Sequence, residues 1–242
     1  MRLPPLDLML ARMLLMEVQI KQRRKDMAEI ENMAEIEKVY TALDHIRMHP
    51  DMYYKKLGDG KLYDDCIYQM LQGIIDNSID EFKMGYGNRI EVSVDCSSGY
   101  MSVRDYGRGV PIDWLERCFI AQCCGGMYSS DFDNIDYIKQ RRLYGWAGAA
   151  SVSALSAHFQ VRSVRSGKYG RLVVRCGKKV SYDMGECGAD EKNGMLVRWT
   201  PDTTVLPAFT IVEEHVVRRI KECAAANPGL KFFLNGQEIS AV

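Results

Sequence analysis

The order of its periodicities constrains this chain most. From residue 159 on, stretches of alternating apolar and polar residues at 159–165, 170–176, 179–183 and 195–200 follow one another with no helical pattern between them. A parallel sheet needs a crossover of a dozen or more residues, usually a helix, between successive strands. Regular βαβ alternation is therefore excluded. Helical spacing falls elsewhere, at 63–84, 112–124, 149–157 and 210–226. The first of these places Ile67, Met70, Leu71, Ile74, Ile75, Ile79 and Phe82 on its apolar side and stops at Gly85-Tyr86-Gly87-Asn88. Arg89–Asp95 and Tyr100–Arg104 read as a hairpin through Ser97-Ser98-Gly99, and Lys231–Leu234 as a last strand. Ahead of them, Pro50 closes a short helix and Asp59-Gly60 marks a turn. The pattern predicts an α+β fold, a mixed but mostly antiparallel sheet with helices packed on one face.

Composition narrows the function classes. With 242 residues, 47% of them apolar, the chain can bury a sizeable core. Its 32 basic and 32 acidic residues give no overall positive excess for nucleic acid, so any such contact needs a local patch or another domain. The eight cysteines form no Cys-x-x-Cys and read as small core residues of a reducing cytoplasm. No stretch of about 18 uncharged apolar residues is present to span a membrane. The apolar run Leu8–Ile20 is broken by Arg12 and Glu17 without a small-residue cleavage site, which argues against a signal peptide.

Residues 6–38 read as a helix, apolar in the first half and charged in the second. The second half carries a near-duplication, Met27-Ala28-Glu29-Ile30-Glu31 and Met33-Ala34-Glu35-Ile36-Glu37. Such a helix packs either on its own domain or on a partner protomer. Residues 1–38 are accordingly separated as an N-terminal extension from a domain at 39–242.

Three motifs carry chemistry. In Asp76-Asn77-Ser78-Ile79-Asp80-Glu81, the side chains of Asn77, Asp80 and Glu81 fall at i, i+3 and i+4 on one helix face. Alone this is the wet side of a helix, yet an amide oxygen is also a natural Mg²⁺ ligand beside phosphate oxygens. Asp105-Tyr106-Gly107-Arg108-Gly109 follows a strand and offers an acceptor for an adenine amino group next to backbone that a flat ligand can approach. Asp and Gly are ordinary turn residues too, so one such motif is weak. Gly125-Gly126 and Gly145-x-x-Gly148 are glycine clusters, the second opening a helix whose free N–H groups suit phosphate; the alternative is a loop that needs positive φ.

Together and in this order the motifs resemble those of the GHKL, or Bergerat-fold, ATPases, and within them the B subunits of gyrase and topoisomerase IV. Further matching segments are His45–Tyr53, Ala154-Leu155-Ser156 and Asn227-Pro228-Gly229-Leu230-Lys231 with Asn235-Gly236. The Met-Tyr and Asn-Pro-Gly segments set the chain apart from histidine kinases and chaperones of the same superfamily. The likeness runs from about residue 40 to 240 and implies a Bergerat-type sandwich with ATP between the helix layer and a lid. By this resemblance Asn77 holds Mg²⁺ and Asp105 holds adenine. Glu81 and Arg108 meet beside the adenine, and Arg165 stands at the pocket mouth. Gly125, Gly126, Gly145, Gly148 and Ala149 enclose the triphosphate, with Asp80, Gly107 and Gly109 completing the nucleotide set.

The same alignment shows departures. The family's general base, a Glu four residues before the Asn, is replaced by Gly73; losing such a base costs about 10²–10⁴-fold. A Gly-Gly-Lys becomes Gly125-Gly126-Met127, which loses a cation. The lid reads Leu143-Tyr144-Gly145-Trp146-Ala147-Gly148; one alignment puts Trp146 where a glycine approaches phosphate, the other implies an insertion. The segment Met127–Arg142 is longer than usual, with Arg141 and Arg142 as substitute cations, and a Gly-Thr becomes Gly194-Met195. The implied function is the ATP-binding module of a type IIA topoisomerase, a nucleotide-driven clamp with impaired hydrolysis. The alternative is a non-hydrolysing paralogue serving dimerisation or partner binding. Implied partners are a second copy through the N-terminal region, and the topoisomerase A subunit and DNA through transducer and cleavage domains outside this chain, in a bacterial cytoplasm.

Overall fold

A computed structural model of the chain describes residues 41–120 and 148–240, all within one unit, Thr41–Val242. The proposed N-terminal helix and the glycines at 125, 126 and 145 lie outside the described residues, as do Met127, Arg141, Arg142 and Trp146.

Eight strands form one sheet in the order β5-β4-β3-β6-β2-β1-β7-β8. They are β1 (Arg89–Asp95), β2 (Tyr100–Asp105), β3 (Ser156–Arg165), β4 (Lys168–Arg175), β5 (Lys178–Glu186), β6 (Gly194–Pro201), β7 (Lys231–Leu234) and β8 (Gln237–Ile239). Only β1 and β7 pair in parallel; every other neighbour is antiparallel. The β4–β5 and β7–β8 hairpins turn through Cys176-Gly177 (φ 47 and 74) and Asn235-Gly236 (φ 50 and 85). Two successive positive φ values are what a two-residue hairpin loop with the right twist requires.

The helices are α1 (Ala42–Met48), α2 (Cys66–Lys83), α3 (Ile112–Ile120), α4 (Ala149–Ala154) and α5 (Glu213–Ala226). Thr41 closes a capping box with Asp44 at the start of α1, and Pro50 opens a 3-10 turn rather than merely ending that helix. Along α2 the buried side is Cys66, Ile67, Met70, Leu71, Ile74, Ile75 and Ile79. It meets Val92, Met101, Val103, Phe159, Val161, Val197 and Trp199 of the sheet in one core. Each large side chain so buried contributes about 1.5–3 kcal/mol relative to exposure.

Several boundaries differ from the sequence expectation. Helix α4 ends at Ala154 and not at residue 157, because Ser156 already pairs with Pro201 in the sheet. Helix α5 begins at Glu213 instead of 210, because the backbone is still extended at its N-cap, Val212 (φ −93, ψ 112). Strand β8 has no counterpart in the sequence expectation. The cysteines are not uniformly core residues: Cys66, Cys118 and Cys223 are buried, whereas Cys96 and Cys176 are exposed. No described helix is long and apolar enough to cross a membrane.

Candidate nucleotide site

Asp105 ends β2 and is 4% exposed, beneath a cavity lined by Asn77, Glu81, Arg108, Gly109, Val110, Pro111, Cys118, Phe119, Ala149, Arg165 and Met195. Helix α2 contributes Asn77 and Glu81, one turn apart on one face, so its polar stripe is turned into the cavity. The loop after β2 contributes the backbone wall, and β6 closes the floor with Met195.

The two oxygens of Asp105 differ. Oδ1 accepts the N–H groups of Gly107 at 2.9 Å and Met195 at 3.2 Å. Oδ2 has the Ser78 hydroxyl at 3.3 Å, a long contact. Burial pushes this carboxyl up to about 6, because the two N–H donors and Arg104 only partly offset the loss of water.

Glu81 and Arg108 meet as the sequence alignment implies. Arg108 donates from Nε at 3.1 Å, Nη2 at 2.9 Å and its backbone N–H at 2.9 Å to the Glu81 carboxylate. The guanidinium also lies over the Tyr86 ring, 4.3 Å from its centroid. Arg165 reaches across from β3 and donates to the Gly109 carbonyl at 2.8 Å.

The glycines of the loop serve the chain's own packing. A Cβ at Gly107 would come within 2.8 Å of the Glu81 side chain. Gly109, at φ 76, would drive a Cβ to 2.4 Å from the Val164 carbonyl. Gly109 also lines the cavity, and Gly107 stands behind it.

Asp80 is 2% exposed and is not among the residues that line the cavity. Gly148 caps α4 with φ −56, so it needs no left-handed conformation, and it too is outside the lining while its neighbour Ala149 is within it. Gly73 is buried in α2, one turn before Asn77.

Sequence reasoning does not nominate Ser78, Val110, Pro111, Cys118 or Phe119. Cys118 and Phe119 lie on the apolar stripe of α3 and look like core in sequence; they do belong to the core, Phe119 packing on Phe159, and border the cavity as well. Met195 is marked in the sequence solely by its Gly-Met pair.

No family model matches the chain. Among similar curated proteins, the B subunit of DNA topoisomerase 4 from Borreliella burgdorferi is 36% identical over 197 residues, which covers 81% of this chain and 31% of that protein. The B subunit of DNA gyrase from Thermotoga maritima is 33% identical over 206 residues, 82% of this chain and 30% of that protein. Among solved structures, the 43K ATPase domain of Thermus thermophilus gyrase B, crystallised with an aminocoumarin, superposes with a TM-score of 0.62 at 25% identity, covering 83% of this chain and 51% of that one.

The sheet order, the helix layer and the cavity over Asp105 define a nucleotide-binding domain of the GHKL, or Bergerat, class. Within that class the chain belongs with the ATPase domains of type IIA DNA topoisomerase B subunits, the gyrase and topoisomerase IV family. It spans less than a third of the length of these curated relatives.

Proposed function

We propose that this chain binds ATP with Mg²⁺ as the nucleotide-responsive part of a type IIA topoisomerase and hydrolyses it poorly. The observation that carries this reading is the buried Asp105 carboxylate. One oxygen is saturated by backbone donors, which fixes its orientation. The other, with one long contact, is the acceptor that an exocyclic adenine amine requires.

Asn77 fits a magnesium ion as a single neutral oxygen donor in the cavity wall. No described group of three or more His, Cys, Asp or Glu could hold a metal by itself. Such a donor suits an ion that keeps most of its shell as water and substrate phosphate. When bound, the ion would supply neutralisation of phosphate charge. Arg165 is a second cation lining the same space beside the Glu81-paired Arg108, and an aminocoumarin-like ligand would meet it there.

Impaired hydrolysis is supported by what surrounds Gly73. The nearest carboxylates on α2 are otherwise engaged. Asp76 accepts from Gln72 Nε2 at 2.5 Å, and Gln72 faces Cys223 and Arg219 of α5, the side away from the cavity. Glu81 is gripped by Arg108. Neither is placed to orient water. This favours the second reading as well, a domain that binds nucleotide without consuming it and uses it to control dimerisation or a partner.

The clamp partner on this reading is a second copy joined through residues 1–38; the A subunit and DNA strand passage belong to the longer protein. Calorimetric titration of the full chain with ATP, with and without Mg²⁺, beside a phosphate-release assay, tests it. Tight, Mg²⁺-strengthened binding with negligible turnover is expected. Absence of binding would overturn the reading, and rapid turnover would overturn its hydrolytic half.

A further inference from the structure

We propose that His45 and His49, with Tyr53 orienting the first, form a surface site for a borderline divalent metal ion such as Zn²⁺. The two imidazoles stand four residues apart at the end of α1, where His49 is the C-cap. That spacing puts both rings on one side of the helix, the arrangement by which two histidines share one ion. His49 is exposed and His45 half-buried, so the pair is open to solvent. It does not rest on the nucleotide reading, and neither ring lines the Asp105 cavity.

The ring geometry suits one ion. The centroids are 5.1 Å apart and the planes are tilted by 55°. Two imidazoles on a tetrahedral ion, each nitrogen about 2.0–2.1 Å from it, have centroids about 5.2 Å apart. Ligands at a right angle would bring the centroids to about 4.5 Å at the same bond length. The observed spacing is the tetrahedral one. One nitrogen of His45 is already committed: Nδ1 lies 2.9 Å from the Tyr53 hydroxyl, and the two rings meet edge to face at 6.0 Å. With the Nδ1 proton donated to Tyr53, the lone pair is left on Nε2. Such an outer contact fixes tautomer and ring orientation in histidine metal sites. Among the described residues the His45 ring makes no second hydrogen bond and the His49 ring makes none.

The donor set selects the cation. Mg²⁺ and Ca²⁺ take oxygen ligands, and none converges here. Asp44 is held in the capping box by the N–H and hydroxyl of Thr41, and neither it nor Asp51 makes the pair a described group of three. Met48 and Met52, exposed at 47% and 69%, bring thioethers to the same stretch. Arg47, the one cation between the histidines in sequence, is turned to Asp202 at 2.7 Å and to the Ala154 carbonyl at 2.8 Å. Imidazole nitrogen beside thioether suits Zn²⁺ and its late first-row neighbours. The chain supplies two ligands and water the other two. Bound there, the ion pins the end of α1 to the 3-10 turn Pro50–Met52, for which His49 is also the N-cap.

The test is histidine-ring NMR of the full chain titrated with Zn²⁺ in the absence of nucleotide. The chain has four histidines, so the signals are few, and zinc held by thiols elsewhere does not shift them directly. The His45 and His49 resonances should move together and saturate at one ion, with His45 bound through Nε2. His158, within β3, and His215, whose Nε2 lies 2.9 Å from the Lys61 carbonyl, should stay in place. His49→Ala, a change at an exposed position, should abolish the response of His45. Tyr53→Phe should weaken binding about tenfold, the lower end of what loss of an outer contact costs a metal site. Mg²⁺ in place of Zn²⁺ should shift neither ring. Shifts confined to one ring of the pair would overturn the proposal, as would a His45 response that survives His49→Ala. Parent-like Zn²⁺ affinity in Tyr53→Phe or an equal response to Mg²⁺ would overturn it too.

Discussion

Gln72 and Asp76, one turn apart on α2, bond to each other at 2.5 Å on the side of the helix that faces α5, whereas Gly73 between them belongs to the turn that leads to Asn77. The carboxylate nearest in sequence to the missing base is therefore directed away from the space where nucleotide would sit. This geometry, with the Glu81–Arg108 grip on the other side, leaves neither Asp76 nor Glu81 placed to orient water.

The unmodified chain should consequently turn over ATP negligibly, and Gly73→Glu should produce measurable phosphate release. The gain should be partial, because the family's Gly-Gly-Lys reads Gly125-Gly126-Met127 in this sequence, without the cation, and charge stabilisation is usually the larger contribution to rate. Adding Met127→Lys should increase it. Robust turnover by the parent chain would sink this account.

Asp105→Asn should weaken adenine nucleotide binding by about 1–3 kcal/mol. The N–H groups of Gly107 and Met195 both point at Oδ1, so the asparagine carbonyl will be held there and its NH₂ turned to the cavity. A donor then faces the adenine amine, itself a donor. Calorimetry giving equal affinities for parent and variant would show that adenine recognition lies elsewhere.

The same substitution should change the pH dependence of stability. Asp105 sits at about 6 in the fold against an ordinary 3.8, mainly through burial. A folded-state value above the unfolded one gives a contribution that is full below pH about 4 and lost as pH rises through 6, about 3 kcal/mol in all. Urea denaturation from pH 4.5 to 7.5 should show the parent losing ground relative to Asp105→Asn. Parallel profiles would contradict the assignment.

Arg47 donates to Asp202 Oδ2 at 2.7 Å and to the Ala154 carbonyl at 2.8 Å, and so ties α1 to the end of α4 and of β6. Burial pushes the Asp202 carboxyl up, but the Thr204 hydroxyl and N–H and the Arg47 guanidinium outweigh it and hold it at about 2. Its contribution is therefore present above pH about 4 and lost as pH falls through 2. Arg47→Ala strips a nearly buried carboxylate of its counter-charge and should cost about 2–4 kcal/mol at pH 7, with acid unfolding starting at higher pH. A melting temperature within a degree of the parent would refute it.

Removal of residues 1–38 should abolish nucleotide-dependent dimerisation in sedimentation velocity. If the full chain is itself monomeric at high concentration with ATP, the role proposed for that segment fails.

Local sequence determined much of this protein. The period-2 runs, the polar stripe of α2 and the Asn235-Gly236 turn are short-range properties, set by backbone sterics and by which face of each element is apolar. The chemistry of Asn77 and Asp105 was legible for the same reason, since an amide on a helix face and a carboxylate at a strand end keep their character in any surroundings. What the tertiary structure alone decided is which of these meet. Strand β6 inserts between β2 and β3, far from its sequence neighbours, and by doing so brings the Met195 N–H to Asp105 and makes a cavity floor from a residue 90 positions away. The same packing buried Asp80, made Gly107 a matter of room for Glu81, and set the core residues Cys118 and Phe119 against the cavity as well. Strand order and helix rotation follow from burying the whole apolar face at once, a sum over contacts that no local stretch of sequence contains.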